Sequence, residues 1–78
     1  MSIINNLFMN IRALGLNIRA ERNRKELSQE KLGEIVNLST NSISLIEKGK
    51  QIPSAVHIYL IAKALNIDIN ELYRNIDA

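Results

Sequence analysis

The 78-residue chain is long enough for one small domain, and 46% of its residues are hydrophobic. It has no cysteine and one histidine, so we expect a non-enzymatic protein of a reducing compartment, the cytoplasm, without metal, cofactor or small-molecule ligand. The chain has ten Lys and Arg and eight Asp and Glu, and so small a net charge does not favour general binding of polyanions. No apolar run approaches the roughly 20 residues that cross a membrane.

The first half of the chain has the apolar spacing of helices. Apolar residues recur three and four positions apart over residues 3–18, which predicts one helix, or two joined near Gly15, ending at about Arg24. Ser28 is a good N-cap for a second helix, and Asn37 stands at its C-terminal break. The first 37 residues therefore predict helices and turns but no strand.

The second half continues the helical pattern with similar boundary signals. Ser39 is placed to cap a third helix, which Gly49 ends as a left-handed residue. Pro53-Ser54 restarts the chain before a fourth helix, whose buried face is marked by Ile58, Ile61, Ala62 and Leu65. Asp68 with Glu71 forms a variant capping box that opens a fifth. We therefore predict an all-α fold of five short helices, with residues 14–78 as the domain and residues 1–13 as an N-terminal helical extension.

Residues 29–48 form a helix pair with an unusual exposed surface. Only three residues separate the two helices, so the second crosses the first steeply. Ile43 and Ile46 face inward, and the outward positions hold small or uncharged side chains: Thr40, Asn41, Ser44 and Leu45. Such groups suit the base edges of a DNA major groove better than a solvated surface.

Basic residues flank this neutral segment. Residues 12–25 carry five bases and one acid, a charge of +4, and Lys48 and Lys50 follow the helix pair. Flanking cations of this kind hold phosphates while the segment between them reads bases, although a basic run is also an ordinary solvated helix face.

The chain resembles the Cro/CI-type phage repressor family, the XRE family, over about residues 14–73. The resemblance is carried by these positions: Arg22, Leu27-Ser28-Gln29, Leu32, Ile43-Ser44, Ile46-Glu47-Lys48-Gly49-Lys50, Pro53-Ser54, Ile61-Ala62, Leu65 and Glu71-Leu72. It implies a lambda-repressor-like domain with its helix-turn-helix at helices two and three. The implied function is sequence-specific binding of double-stranded DNA in transcription regulation.

The family pattern also implies roles for individual residues. Base contacts are expected from Thr40, Asn41, Ser44 and Leu45, although Leu45 also fits a tolerated apolar surface position. Phosphate contacts are expected from Ser28, Gln29, Ser39, Ser42, Lys48 and Lys50. Arg22 and Glu47 match a partly buried salt bridge between helices one and three, which is foremost a structural feature.

Departures from the family pattern at four places bear on these expectations. Gly33 replaces a usual Ala, at a cost in helix propensity of roughly 1 kcal/mol. Asn37 and Glu26 each replace a usual Gly; Asn tolerates a left-handed backbone, whereas Glu26 leaves the end of the first helix uncertain. Thr40 and Asn41 are not the Arg-Thr pair of many restriction–modification controller proteins.

Surplus apolar residues suggest a partner. The residues not needed for a five-helix core are Ile3, Ile4, Leu7, Phe8, Val56 and Leu60, which either pack on each other or meet a second subunit. The C-terminal region, through which single-domain members of this family commonly dimerise, is also apolar, at Ile67, Ile69, Leu72, Tyr73 and Ile76. We expect a homodimer on a palindromic operator; the alternative is an antitoxin or other partner-binding module on the same fold.

Overall fold

A computed structural model describes the backbone of residues 3–77 and the side chains of residues 11–77. Within these residues the chain is all-helical, with no strand: α1 (Ile3–Arg24), α2 (Gln29–Val36), α3 (Thr40–Glu47), α4 (Ala55–Ala64) and a C-terminal 3₁₀ helix (Ile69–Tyr73). None of the described helices is long and apolar enough to cross a membrane.

Helix α1 is continuous through Gly15 and through the expected boundary between residues 13 and 14. The reason that a glycine stands there lies in α3: a Cβ built on Gly15 would collide with the carbonyl oxygen of Ile46. The glycine therefore lets two helix backbones approach closely and does not mark a break. The surplus apolar side chains predicted at Ile3, Ile4, Leu7 and Phe8 lie outside the described residues.

Serine N-caps begin α2, α3 and α4. Each serine hydroxyl accepts a hydrogen bond from the backbone N–H three residues later, in the pairs Ser28–Lys31 (2.9 Å), Ser39–Ser42 (3.0 Å) and Ser54–His57 (3.1 Å). An N-cap of this kind is worth about 1 kcal/mol, so three local signals in the sequence fix three helix starts.

A residue with left-handed backbone follows the end of each α-helix by one or two positions, at Glu26 (φ 57°), Asn37 (φ 61°), Gly49 (φ 72°) and Asn66 (φ 55°). The following N–H donates to the carbonyl five residues earlier, in the pairs Leu27–Arg22, Leu38–Gly33, Lys50–Leu45 and Ile67–Ala62, at 2.8–3.2 Å. These are Schellman-type ends. Gly and Asn adopt this conformation readily, but Glu26 does so at a cost of about 1–2 kcal/mol.

One apolar core joins all five elements. It consists of Leu14 and Ile18 of α1, Leu32 and Val36 of α2, Ile43 and Ile46 of α3, Ile61 and Ala62 of α4 with the following Leu65, and Leu72 of the 3₁₀ helix. Because α3 buries its isoleucines in this core, its opposite face is directed away from it.

The C-terminal segment differs from the sequence prediction in two ways. The expected fifth α-helix is a five-residue 3₁₀ helix, in which the Asp68 carboxylate caps the N–H of Asn70. Leu72, which we expected at a dimer interface, is 0% exposed. That expectation was wrong, because this leucine closes the chain's own core.

Polar contacts tie the C-terminal segment to α1. The Asn17 side-chain amide donates to the carbonyl oxygens of Leu72 (2.9 Å) and Arg74 (2.7 Å). The Arg74 guanidinium pairs with the buried carboxylate of Glu21 at 2.9 Å. These contacts hold the 3₁₀ helix against α1.

Candidate nucleic-acid interface

A three-residue turn sets the geometry of α2 and α3. Asn37 is left-handed, and the N–H of Leu38 donates to the carbonyl oxygen of Gly33 at 2.9 Å. The Leu38 side chain is half-buried and packs against the core. The turn therefore joins α2 to α3 within three residues, and Leu38 anchors it to the hydrophobic interior.

The outward face of α3 carries the residues expected to contact bases. Thr40 and Asn41 are exposed, whereas Ser44 and Leu45 are half-buried. Before Glu47 the helix contains no charged residue. Its first turn thus presents a hydroxyl and an amide, which donate and accept hydrogen bonds, without a competing charge.

A buried ion pair fixes α3 against α1. Arg22 donates from Nε to Glu47 Oε2 at 2.6 Å and from Nη2 to Glu47 Oε1 at 3.0 Å. Its Nη1 donates to the carbonyl oxygen of Leu27 at 2.8 Å. The two residues are 9% and 5% exposed, respectively. The fork-to-fork geometry fixes distance and angle together, so the orientation of α3 depends on it.

Gln29 joins this network, which the sequence did not predict. Its Nε2 donates to Glu47 Oε1 at 3.0 Å, so the start of α2 is tied to the end of α3. Of the two amide hydrogens, one is engaged there and the other remains for an anion. No motif spacing signals this contact, because it joins residues 18 positions apart through tertiary packing.

The expected phosphate-binding residues have mixed surroundings. Ser28, Ser39, Lys48 and Lys50 are exposed, and Ser42 is half-buried. The hydroxyls of Ser28 and Ser39 already accept the capping N–H bonds, which leaves each hydroxyl hydrogen free to donate. Lys48 and Lys50 lie on either side of left-handed Gly49.

A cleft of about 210 Å³ brings several of these residues together. It is lined by Arg19, Arg22, Gln29, Ser44, Glu47 and Lys48. Three expected DNA contacts, Gln29, Ser44 and Lys48, thus share one surface with the buried ion pair. Arg19 also lines this cleft, one helical turn before Arg22. The sequence pattern indicated it only as part of a basic run.

The described residues contain no group of three or more His, Asp or Glu side chains placed to hold a metal ion.

The helix-turn-helix model HTH_3 matches residues 18–72. The control protein C.SmaI of Serratia marcescens is 36% identical over 66 residues, which cover 83% of this chain and 79% of that protein. The uncharacterized HTH-type transcriptional regulator YgzD of Bacillus subtilis (strain 168) is 34% identical over 56 residues, covering 72% and 85%.

Solved structures share the fold. The restriction-modification controller protein C.AhdI of Aeromonas hydrophila matches with a TM-score of 0.77 at 33% identity, over 81% of this chain and 96% of that one. The clp gene regulator ClgR of Corynebacterium glutamicum matches with a TM-score of 0.79 at 24% identity, over 81% and 67%, which shows the fold alone. The chain therefore belongs to the helix-turn-helix family HTH_3, of XRE type, a family of DNA-binding regulators and not of enzymes.

Proposed function

We propose that this protein is a sequence-specific transcriptional regulator that binds a palindromic DNA operator as a homodimer, in the cytoplasm. One observation carries the proposal: the uncharged first turn of α3 is exposed, while the Arg22–Glu47–Gln29 network fixes the other end of that helix. Readout of the major groove requires a helix in a fixed orientation, with a solvent-exposed end whose side chains can form hydrogen bonds with bases. Relatives named as a transcriptional regulator and as control proteins support it.

Base recognition falls to the outward side chains of α3. The Asn41 amide offers one donor and one acceptor, which match N7 and N6 of adenine. Thr40 accepts or donates through its hydroxyl, or contacts a thymine methyl through its own methyl group. Ser44 and Leu45 lie about one turn further on, where half-burial restricts them to atoms that approach α3 closely.

Phosphate binding fixes the register of α3 in the groove. Gln29 lies at the N-terminus of α2, where backbone N–H groups and the helix dipole favour an anion. Lys48 and Lys50, which follow α3, bind phosphates of the DNA backbone. The hydroxyls of Ser28, Ser39 and Ser42 donate further hydrogen bonds to phosphates. These contacts carry affinity and salt dependence, whereas the α3 side chains carry specificity.

A second copy of the chain is the partner we propose for the α4 and 3₁₀ surface. A mainly apolar groove of about 280 Å³ is lined by Tyr59, Ala62, Lys63, Ile67, Asp68 and Ile69. Tyr59 is 55% exposed, and Tyr73 is exposed as well. With Leu72 excluded, the interface consists of Ile67, Ile69, Tyr73 and Ile76 together with Tyr59. A twofold axis here sets two α3 helices about 34 Å apart, one turn of DNA.

In-vitro selection of bound oligonucleotides from a random duplex pool tests the proposal. We expect enrichment of one palindrome with half-sites about 10 base pairs apart, centre to centre. Light scattering on the same protein should give twice the monomer mass. A pool that stays random, or equal gel-shift affinity for the selected palindrome and a scrambled duplex, would reject the proposal.

A further inference from the structure

A second basic surface lies beside the cleft, between α1 and the segment that follows α3. This groove has a volume of about 210 Å³ and is lined by Arg12, Leu16, Arg19, Glu47, Lys48 and Lys50. Its one carboxylate, that of Glu47, is already bonded to Arg22 and Gln29. Four cations therefore surround a groove with no carboxylate left to balance them.

The packing of the segment after α3 against α1 holds the walls of this groove in place. Arg12, Leu16 and Arg19 are spaced four and three residues apart, so they share one face of α1, and all three are exposed. A Cβ built on Gly49 would lie 2.9 Å from the Cα of Arg12, which shows that the segment after α3 packs directly on α1. The cations converge because of this packing.

The four groove cations, like Lys25 and Lys63, form no ion pair among the described side chains. Among the described side chains, ion pairs join Arg22 to Glu47, Arg24 and Arg74 to Glu21, Lys31 to Glu34, and Arg74 to Glu71. None of these pairs includes Arg12, Arg19, Lys48 or Lys50. Like charges gathered without a counter-charge create a positive potential that attracts an anion.

The groove continues the surface proposed for DNA. It shares Arg19, Glu47 and Lys48 with the cleft that Gln29 and Ser44 line. A polyanion that passes along the end of α3 therefore contacts the cleft and then the groove. We propose that Arg12 and Arg19 bind phosphates of the DNA backbone beside the bases read by α3, a role that rests on the proposed function and extends the contact from the helix-turn-helix onto α1.

A charge-matched pair of variants tests this assignment. Arg12→Gln with Arg19→Gln removes two groove charges from exposed positions on α1. The control, Arg24→Gln with Lys25→Gln, removes two charges from the last residue of α1 and the residue after it, where both line a separate pocket with Asp68 and Glu71. Gel shifts over a salt series on the selected operator and on a random duplex measure the slope of log affinity against log salt.

The groove variant should lower that slope by about 1.8, since each lost phosphate contact removes about 0.9. From 50 to 200 mM salt, the parent then loses about 12-fold more affinity than the variant does. The loss at low salt should be equal on operator and random duplex, the control should keep the parent slope, and Arg12→Lys with Arg19→Lys should restore it.

Three results would overturn the assignment, each differently. If the groove variant keeps the parent slope while the parent still selects its palindrome, Arg12 and Arg19 are not DNA contacts and the proposed function stands. If the variant keeps the slope but loses binding of inorganic phosphate in a calorimetric titration, the groove binds a free anion instead. If the parent does not distinguish palindrome from random duplex, both proposals fail.

Discussion

Removal of the Glu47 carboxylate should destabilise the fold more than any change at an exposed acid. Glu47→Ala deletes three hydrogen bonds, two from Arg22 and one from Gln29, and leaves Arg22, a residue only 9% exposed, without its counter-charge. Breaking a buried pair from one side costs about 3–5 kcal/mol. A domain of this size has about 4–12 kcal/mol of total stability, so the variant approaches the limit of folding.

Urea unfolding followed by circular dichroism measures this cost against a matched control. Glu34→Ala removes the acid of a surface pair with Lys31, at 3.5 Å and with both side chains exposed, and should cost under about 1 kcal/mol. Arg22→Met with Glu47→Leu removes both buried charges together and should recover most of the lost stability, since an apolar pair avoids the desolvation cost. If Glu47→Ala and Glu34→Ala unfold at the same urea concentration, the ion pair does not fix α3.

Three further changes test the backbone geometry and the phosphate contacts. Glu26→Gly should raise stability by about 1 kcal/mol, a shift of roughly 4–8 °C in thermal melting, because it relieves a left-handed glutamate; an unchanged Tm would contradict the left-handed turn. Gly15→Ala should destabilise by about 1–3 kcal/mol in urea, since its methyl group meets the Ile46 carbonyl, and a stabilised variant would mean that α1 and α3 lie further apart. Lys50→Ala should weaken binding to all duplexes and lower the salt slope by about one, measured by gel shift, and a loss confined to the operator would mark Lys50 as a base contact instead.

Features that depend on neighbouring residues could be predicted from the sequence. The serine caps at residues 28, 39 and 54 and the left-handed end at Gly49 involve bonds within a few positions, so the residue types alone indicate them. The resemblance to the XRE family added the pairing of Arg22 with Glu47, which the structure also contains.

Features set by packing between distant segments could not be predicted. The same apolar spacing fits one helix or two at Gly15, and only the approach of α3 decides between them. From the sequence, Leu72 looks like one more apolar residue of the C-terminal region, available for a dimer interface. In the fold it fills a space in the core that the other elements leave. The Gln29–Glu47 bond depends on the crossing of two helices, which no local pattern encodes.

A panel of operators with single base-pair substitutions tests whether Asn41 recognises a base. With Asn41→Ala, discrimination should fall by about 1–3 kcal/mol at one position of each half-site and stay unchanged elsewhere. Asn70→Ala, at an exposed asparagine of the 3₁₀ helix, should discriminate as the parent does. If Asn41→Ala ranks every operator of the panel in the same order and by the same factors as the parent, α3 does not read bases through this side chain.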